Sequence, residues 1–138
     1  NHLKSLDEIK KVFSLVSLFT EEGGIFVFDV NTLYKHKKVL GNNAFIYENG
    51  DALCAWQNSL DGDTVNIDLD FFTETENGLY ERYSESFSER AYNLCDIENA
   101  LAETGFEIIG IYDGYDNKPI SDNSQRAVFA ARKGRKNG

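Results

Sequence analysis

Polar residues that could bind a ligand stand at the end of a buried strand, in the stretch GGIFVFDVN over residues 23–31. An apolar run without polar alternation is typical of a strand buried on both faces, as in a parallel or mixed sheet. Ligands of open α/β sheets bind beyond the carboxyl ends of such strands. We therefore expect Asp29 or Asn31 to face a cofactor or substrate. A buried hydrogen bond of Asp29, or a turn cap by Asn31, would explain the same residues.

Aromatic side chains and one arginine are the other candidates for binding a small molecule. Tyr34 follows the strand, Trp56 and Tyr83 lie in a later aromatic stretch, and Arg90 could hold a carboxylate bidentately. Each also has a purely structural interpretation: packing for Tyr34, the core of the aromatic stretch for Trp56 and Tyr83, and a salt bridge for Arg90. We assign no catalytic residue from the sequence.

Composition narrows the class of partner. The 14 basic and 23 acidic side chains give a formal net charge of -9, which repels nucleic-acid phosphates and anionic lipids. No apolar run approaches the roughly 20 residues that span a bilayer. We expect a soluble, cytoplasmic protein without nucleic-acid or membrane partners. The one dense basic run lies near the C-terminus among Gly and Asn, where a solvated end is expected: Arg132, Lys133, Arg135 and Lys136.

No metal site is predicted. The two cysteines lie far apart without neighbouring histidines, which argues against zinc and against a disulfide framework. An acidic series lacks the glycine and terminal glutamate of a calcium loop and is interpreted as a solvated face: Asp61, Asp63, Asp68 and Asp70.

The elements that must position these residues are a helix and a strand at the start of the chain. Ser5 to Glu8 has the form of a capping box, in which the serine hydroxyl and the glutamate satisfy free amides at a helix start. Apolar residues follow three or four positions apart and predict one buried face on a helix from Leu6 to about Thr20: Ile9, Val12, Phe13, Val16 and Phe19.

The middle of the chain has a different pattern. Extended runs over residues 45–48, 53–58, 65–73 and 79–92 are separated by glycine-containing turns, which predicts an antiparallel β meander. A helix follows Asn93 and ends at Gly105. Two further strands, over 106–112 and 126–132, are joined by a loop and should pair antiparallel.

The motifs NHL, GGIFVFDVNT, WQNS, RAYNL and TGFE, in this order, resemble the C-terminal half of a class I S-adenosylmethionine-dependent methyltransferase. The resemblance implies an α/β fold with residues 25–31 as the fifth strand, 106–112 as the sixth and 126–132 as the reversed seventh strand of a Rossmann-like sheet. Residues 1–42 and 93–138 would form this core. Residues 43–92 would be an inserted antiparallel β subdomain on the substrate side.

The resemblance also implies a function. The cofactor would be S-adenosylmethionine, bordered peripherally by Asn1 and His2, and the acceptor a small molecule. The residues expected to contact the acceptor lie beyond the fifth strand and on the meander: Asn31, Tyr34, Trp56, Tyr83 and Arg90. The glycine-rich cofactor loop of the family is missing from these 138 residues. We therefore expect a fragment that is inactive alone and self-associates through its first helix and the edge of strand 25–31.

A stand-alone α+β module that binds a small ligand is the alternative interpretation. The two hypotheses predict different sheets. A methyltransferase half should place residues 25–31 beside 126–132, with the meander as a separate sheet. A binding module should curve one continuous antiparallel sheet around a cavity.

Overall fold

The computed structural model describes residues 1–135 and contains two four-stranded sheets and two α-helices. Lys136 of the predicted basic run lies outside the described residues. In chain order, the elements are α1 Leu6–Phe19, β1 Ile25–Asn31, a π-helix Lys35–Leu40, β2 Ala44–Asn49, β3 Ala52–Asp61, β4 Thr64–Glu74, β5 Tyr80–Arg90, α2 Leu94–Glu103, β6 Phe106–Asp113, β7 Lys118–Pro119 and β8 Arg126–Lys133.

The first sheet, which we call the core sheet, has the strand order β1-β8-β6-β7. Strand β8 runs antiparallel to β1, from the pair Ile25↔Arg132 to the pair Asn31↔Arg126, and also antiparallel to β6. The meander β2-β3-β4-β5 forms a separate sheet. This is the arrangement predicted for the fifth, seventh and sixth strands of the methyltransferase fold. The single continuous sheet of the alternative hypothesis is therefore wrong.

The two α-helices pack on one face of the core sheet because alternate strand residues point towards them. Strand β8 contributes Ala127, Phe129 and Ala131, all fully buried, and the ring of Phe28 on β1 stacks on Phe129 with 5.1 Å between centroids. The buried residues of this core are Ile9, Phe13, Tyr92, Ile97, Ala100, Leu101, Phe106, Ala127, Phe129 and Ala131.

Helix α1 starts where the sequence predicts, but fewer of its apolar residues are buried than the sequence predicts. Ser5 Oγ accepts a hydrogen bond from the Glu8 amide at 3.2 Å, whereas the Glu8 carboxylate accepts one from the Lys4 amide and not from that of Ser5. The prediction that Phe19 belongs to the buried face is wrong, since its side chain is 82% exposed. The buried line runs through Ile9, Phe13 and Ser17. At about 100° per residue, Phe19 points away from it.

The meander has two chemically different faces. Residues directly opposite in an antiparallel pair share a face, so Phe45, Trp56, Leu69 and Glu85 form one row across the four strands. We call the face that contains this row the aromatic face. The opposite face, which we call the serine face, carries short polar side chains hydrogen-bonded across β4 and β5, for example Ser86 to Asp68, Ser84 to Asp70 and Ser88 to Asn66.

No helix within residues 1–135 is long and apolar enough to cross a membrane.

Candidate functional site

The aromatic face is covered at one end and open at the other. At its inner end, Leu40 of the π-helix packs on Val65 and Ile67, and all three are buried. At its outer end, Tyr47 is 55% and Tyr83 is 61% exposed. The inner end adjoins the carboxyl end of β1, where ligands of α/β sheets bind.

Asn1 joins these two parts of the molecule. Its Nδ2 atom donates to the carbonyl oxygens of Asn31 and Arg90, each at 3.0 Å, and its Oδ1 atom accepts from the Asn31 amide at 2.7 Å. The side chain of Asn1 thus ties the end of β1 to the end of β5. His2, next in the chain, lies beside Phe87 of the aromatic face, with 5.7 Å between ring centroids.

A buried histidine faces a carboxylate at the same junction. His36 is fully buried, and its Nδ1 atom lies 3.2 Å from the carbonyl oxygen of Asp63. A carbonyl only accepts, so Nδ1 carries a proton. Within residues 1–135, the Nε2 atom has no hydrogen-bond partner, and it lies 3.6 Å from Glu89 Oε2, an ion-pair distance.

The environment of Glu89 favours its ionised form. Its pKa is lowered from 4.5 to about 2, chiefly by the imidazole of His36 and further by the amide of Asn31 and the charge of His2, against the opposing effect of burial. Asn31 Nδ2 donates to Glu89 Oε2 at 3.1 Å, and His2 Nε2 lies 3.7 Å from Oε1. Glu89 is therefore anchored through Oε2, while in the described part of the chain Oε1 has only the mostly exposed His2 beside it.

Asn31 is held at both ends of its amide. Besides donating to Glu89, it accepts a hydrogen bond from Lys35 Nζ at 3.0 Å. Burial lowers the pKa of Lys35, and the charge of Arg126 lowers it further. Asp29, the other candidate at the end of β1, forms an ion pair with Arg126. The carboxyl end of β1 is thus a connected polar network.

The remaining predicted residues lie in three places. Trp56 and Tyr83 occupy the aromatic face, where Trp56 contacts Phe45 and donates to Asn58. Tyr34 is half-buried at the start of the π-helix.

Arg90 is separated from this aromatic pair. It belongs to the serine-face register of β5, where it pairs with Thr64. Its guanidinium donates to the Lys4 carbonyl at 2.9 Å and lies over the ring of Tyr92. The structure brings Asn1, His2 and Asn31 together and puts Trp56 and Tyr83 on one face, but it does not bring the Arg90 side chain to either group.

Sequence reasoning missed three residues of this site: His36, Glu89 and Lys35. For Glu89 a signal was visible, because acidic and aromatic residues alternate along β5 as Glu81, Tyr83, Glu85, Phe87 and Glu89. For His36 there was none, since its burial depends on strands that are distant in sequence.

Relatives of this chain are named as methyltransferases. "Putative methyltransferase GWCH70_2453" of Geobacillus sp. (strain WCH70) is 27% identical over 96% of this chain and 55% of its own length. "Putative methyltransferase YqeM" of Bacillus subtilis (strain 168) is 26% identical over 96% of this chain and 54% of its own length. A solved S-adenosylmethionine-dependent methyltransferase from Clostridium acetobutylicum ATCC 824 is 35% identical, with a TM-score of 0.90 over 98% of this chain and 55% of its own.

The resemblance to a class I methyltransferase is confirmed. The strand order of the core sheet agrees with the C-terminal half of such a methyltransferase. The chain spans about half the length of the methyltransferases that it matches. No protein-family model matches the sequence.

Proposed function

We propose that residues 1–138 form the acceptor-side half of an S-adenosylmethionine-dependent methyltransferase that acts on a small molecule in the cytoplasm. The observation that carries this proposal is the 35% identity and TM-score of 0.90 to a solved methyltransferase over 98% of the chain. The open aromatic face beside the carboxyl end of β1 supports a small-molecule acceptor, because such a molecule needs an apolar wall with a few polar groups.

The residues present do not by themselves fit the cofactor. A backbone that approaches a nucleotide-like ligand closely needs glycines with free space between a strand and a helix. The pair Gly23 and Gly24 stands instead between α1 and β1, and a Cβ on Gly24 would meet Thr20 Cγ2 at 2.8 Å and the Glu21 carbonyl oxygen at 2.9 Å. Since the chain's own atoms fill this turn, we propose that S-adenosylmethionine is held mainly by other residues, with Asn1 and His2 at its periphery.

Two measurements test the proposal. Titration calorimetry of the 138-residue chain with S-adenosylmethionine should show no micromolar binding and no methyl transfer. A chain extended upstream of Asn1 to the length of its relatives should bind the cofactor and transfer a labelled methyl group to a small molecule. An extended chain that folds and binds no cofactor would contradict the proposed function.

The acceptor-side residues are proposed from their positions. Trp56 and Tyr83 form the wall, Asn31 and Tyr34 lie where β1 leads into the π-helix, and Arg90 marks the return to the core. In the extended chain, replacing Trp56 or Tyr83 by Ala should change the choice of acceptor more than the affinity for the cofactor. Equal effects on acceptor choice and on cofactor affinity would show that the meander does not lie on the acceptor side.

We also propose that the 138-residue chain self-associates. Its accessible surface is 9151 Å², whereas a compact monomer of 15.6 kDa is expected to expose about 7,250 Å². The difference of about 1,900 Å² is of the size that a stable interface buries. The exposed apolar residues Leu15, Leu18 and Phe19 on α1, and Ile25 and Val27 on β1, support contact there.

The free edge of β1 adds to this surface, because β1 is the outer strand of the core sheet within the described residues. Light scattering should show a dimer or larger species, and Leu18→Glu should shift it towards the monomer. A monomer at high concentration would contradict the proposal.

A further inference from the structure

The strand positions of the aromatic face all lie within the described residues. They combine carboxylates with aromatic rings and include no Lys or Arg. The arginines of β5, Arg82 and Arg90, occupy the alternate positions and belong to the serine face. The carboxylates of the aromatic face are Glu81, Glu85 and Glu89, and its rings are Phe45, Tyr47, Trp56, Phe71, Tyr83 and Phe87.

Several of these groups are accessible to a ligand. Phe71 is 37%, Phe87 is 36% and Tyr83 is 61% exposed. Glu85 is exposed between Tyr83 and Phe87 along β5, in the same row as Trp56. Within residues 1–135, its carboxylate has neither a hydrogen-bond nor an ion-pair partner.

At the inner end of the face, the Glu89 carboxylate is held by neighbouring side chains. His36 is 0% exposed, and its Nε2 atom lies 3.6 Å from Glu89 Oε2, at ion-pair distance. Together with the Asn31 amide, it fixes one carboxylate oxygen and leaves the other towards the aromatic face, where His2 contacts Phe87.

The carboxylates of the serine face, in contrast, have partners within the same sheet. Its carboxylates Asp68 and Asp70 accept hydrogen bonds from Ser86 and Ser84, and Asp70 also forms an ion pair with Arg82. Its negative charges are internally compensated. The exposed carboxylate of Glu85, by contrast, has no such partner within residues 1–135.

We infer that the acceptor carries an ammonium group, which binds on the aromatic face beside Glu85. The methyl group then goes to another, uncharged atom of the same molecule, because a protonated amine has no free electron pair with which to attack it. The inference deepens the proposed function. It rests on that function for the claim that the bound molecule is the methyl acceptor. Aromatic faces attract cations through the ring quadrupole, and a carboxylate hydrogen-bonds an ammonium group more strongly than a neutral donor. An anionic ligand is repelled by the carboxylates of Glu81 and Glu85, because no basic residue stands among the face's strand positions.

The single tryptophan provides the measurement, because Trp56 is the only one in the chain and lies on this face. Its fluorescence is followed while the 138-residue chain is titrated with three probes of similar shape: phenethylammonium, 2-phenylethanol and 3-phenylpropanoate. We expect the ammonium probe to bind at least about tenfold more tightly than the alcohol. The carboxylate probe should bind most weakly. Equal binding of ammonium and alcohol overturns the inference.

Matched variants distinguish binding at a defined site from attraction of the cation by the net negative charge of the chain. Glu85→Gln should remove most of the preference for ammonium, and Tyr83→Ala should weaken all ammonium binding. Glu48→Gln removes the same charge from the opposite face of β2 and should leave the preference unchanged. If Glu48→Gln lowers the preference as much as Glu85→Gln, the cation is held by net charge alone and the inference fails.

The outcome is distinguishable from that of the proposed function. An extended chain that transfers methyl groups but binds alcohol and ammonium equally retains the function and overturns the cationic acceptor. Preferential ammonium binding by a chain that never binds S-adenosylmethionine upholds the cation site and overturns the methyltransferase.

Discussion

The core sheet and the meander are both four-stranded, yet they bury very different amounts of their own side chains. In the core sheet, Phe129 is fully buried, and it belongs to a buried cluster with members from α1, α2, β6 and β8. In the meander, Val65 and Ile67 are the only strand residues that are buried, under Leu40. The comparison indicates that the core sheet carries most of the stability of the fold, while the meander leaves apolar surface exposed, which we propose is used by a ligand.

The largest change in stability that would test this difference between the two sheets is expected from a substitution at the centre of the core. Phe129→Ala should lower the free energy of unfolding by about 3–5 kcal/mol, because a fully buried ring leaves a cavity. Tyr83→Ala should change it by about 0.5 kcal/mol or less, since this ring is 61% exposed. Urea unfolding measures both. A loss at Tyr83 comparable to that at Phe129 would mean that the meander also carries global stability.

The next effect concerns the junction between the two regions. His36→Ala removes the buried partner of Glu89 and should cost about 2–3 kcal/mol, because a half-buried carboxylate loses its main compensation. The pKa of Glu89 should also rise from about 2 towards its ordinary value. Carbon-13 NMR of the Glu89 carboxyl during an acid titration measures this rise.

Tyr34→Ala, at the start of the same π-helix, serves as the control for His36→Ala. It removes a ring without touching Glu89, so the Glu89 titration should not move. An unchanged Glu89 pKa in His36→Ala would show that the histidine does not hold the carboxylate.

A smaller effect is expected from acid. The pKa of Glu89 is lower in the folded chain, about 2, than its ordinary 4.5, so the unfolded chain takes up this proton first as the pH falls. The contribution is complete above about pH 4.5 and is lost as the pH falls towards 2. Because the carboxyl is partly solvated, we expect it to be about 1–2 kcal/mol, less than the shift converts to directly.

Glu89→Gln identifies this part of the acid response. The variant should unfold with a flatter dependence on pH between 4.5 and 2 than the parent chain does. Identical profiles for the two chains would assign the acid sensitivity to other carboxylates.

The smallest effect is expected on the serine face. Ser86→Ala removes one exposed hydrogen bond to Asp68 and should change the free energy of unfolding by about 0.5 kcal/mol or less. It should also leave ammonium binding, measured by Trp56 fluorescence, unchanged. A change in binding would mean that the two faces of the meander are not independent.

Several features were determined by the sequence itself because their causes are local. The cap at Ser5 predicted where α1 begins, and Gly105, with φ of 87°, ended α2 as expected. The apolar run 25–31 predicted the strand β1, but the expectation that both its faces are buried is wrong, since Ile25 and Val27 are 53% and 59% exposed. The glycine turns at Gly50 and Gly62 predicted the hairpins of the meander. The order of motifs predicted the resemblance to the methyltransferase fold, including the pairing of β1 with β8.

Only the tertiary structure decided which residues make the candidate site. Along β5, acidic and aromatic residues alternate without a clean apolar side, and the cross-strand register was needed to place Glu85 in one row with Leu69 and Trp56. The burial of His36 likewise depends on β4 and β5, more than 25 residues away along the chain. Local sequence propensity predicts neither the face of Glu85 nor the burial of His36. Both are set by the partners that the folded chain brings together.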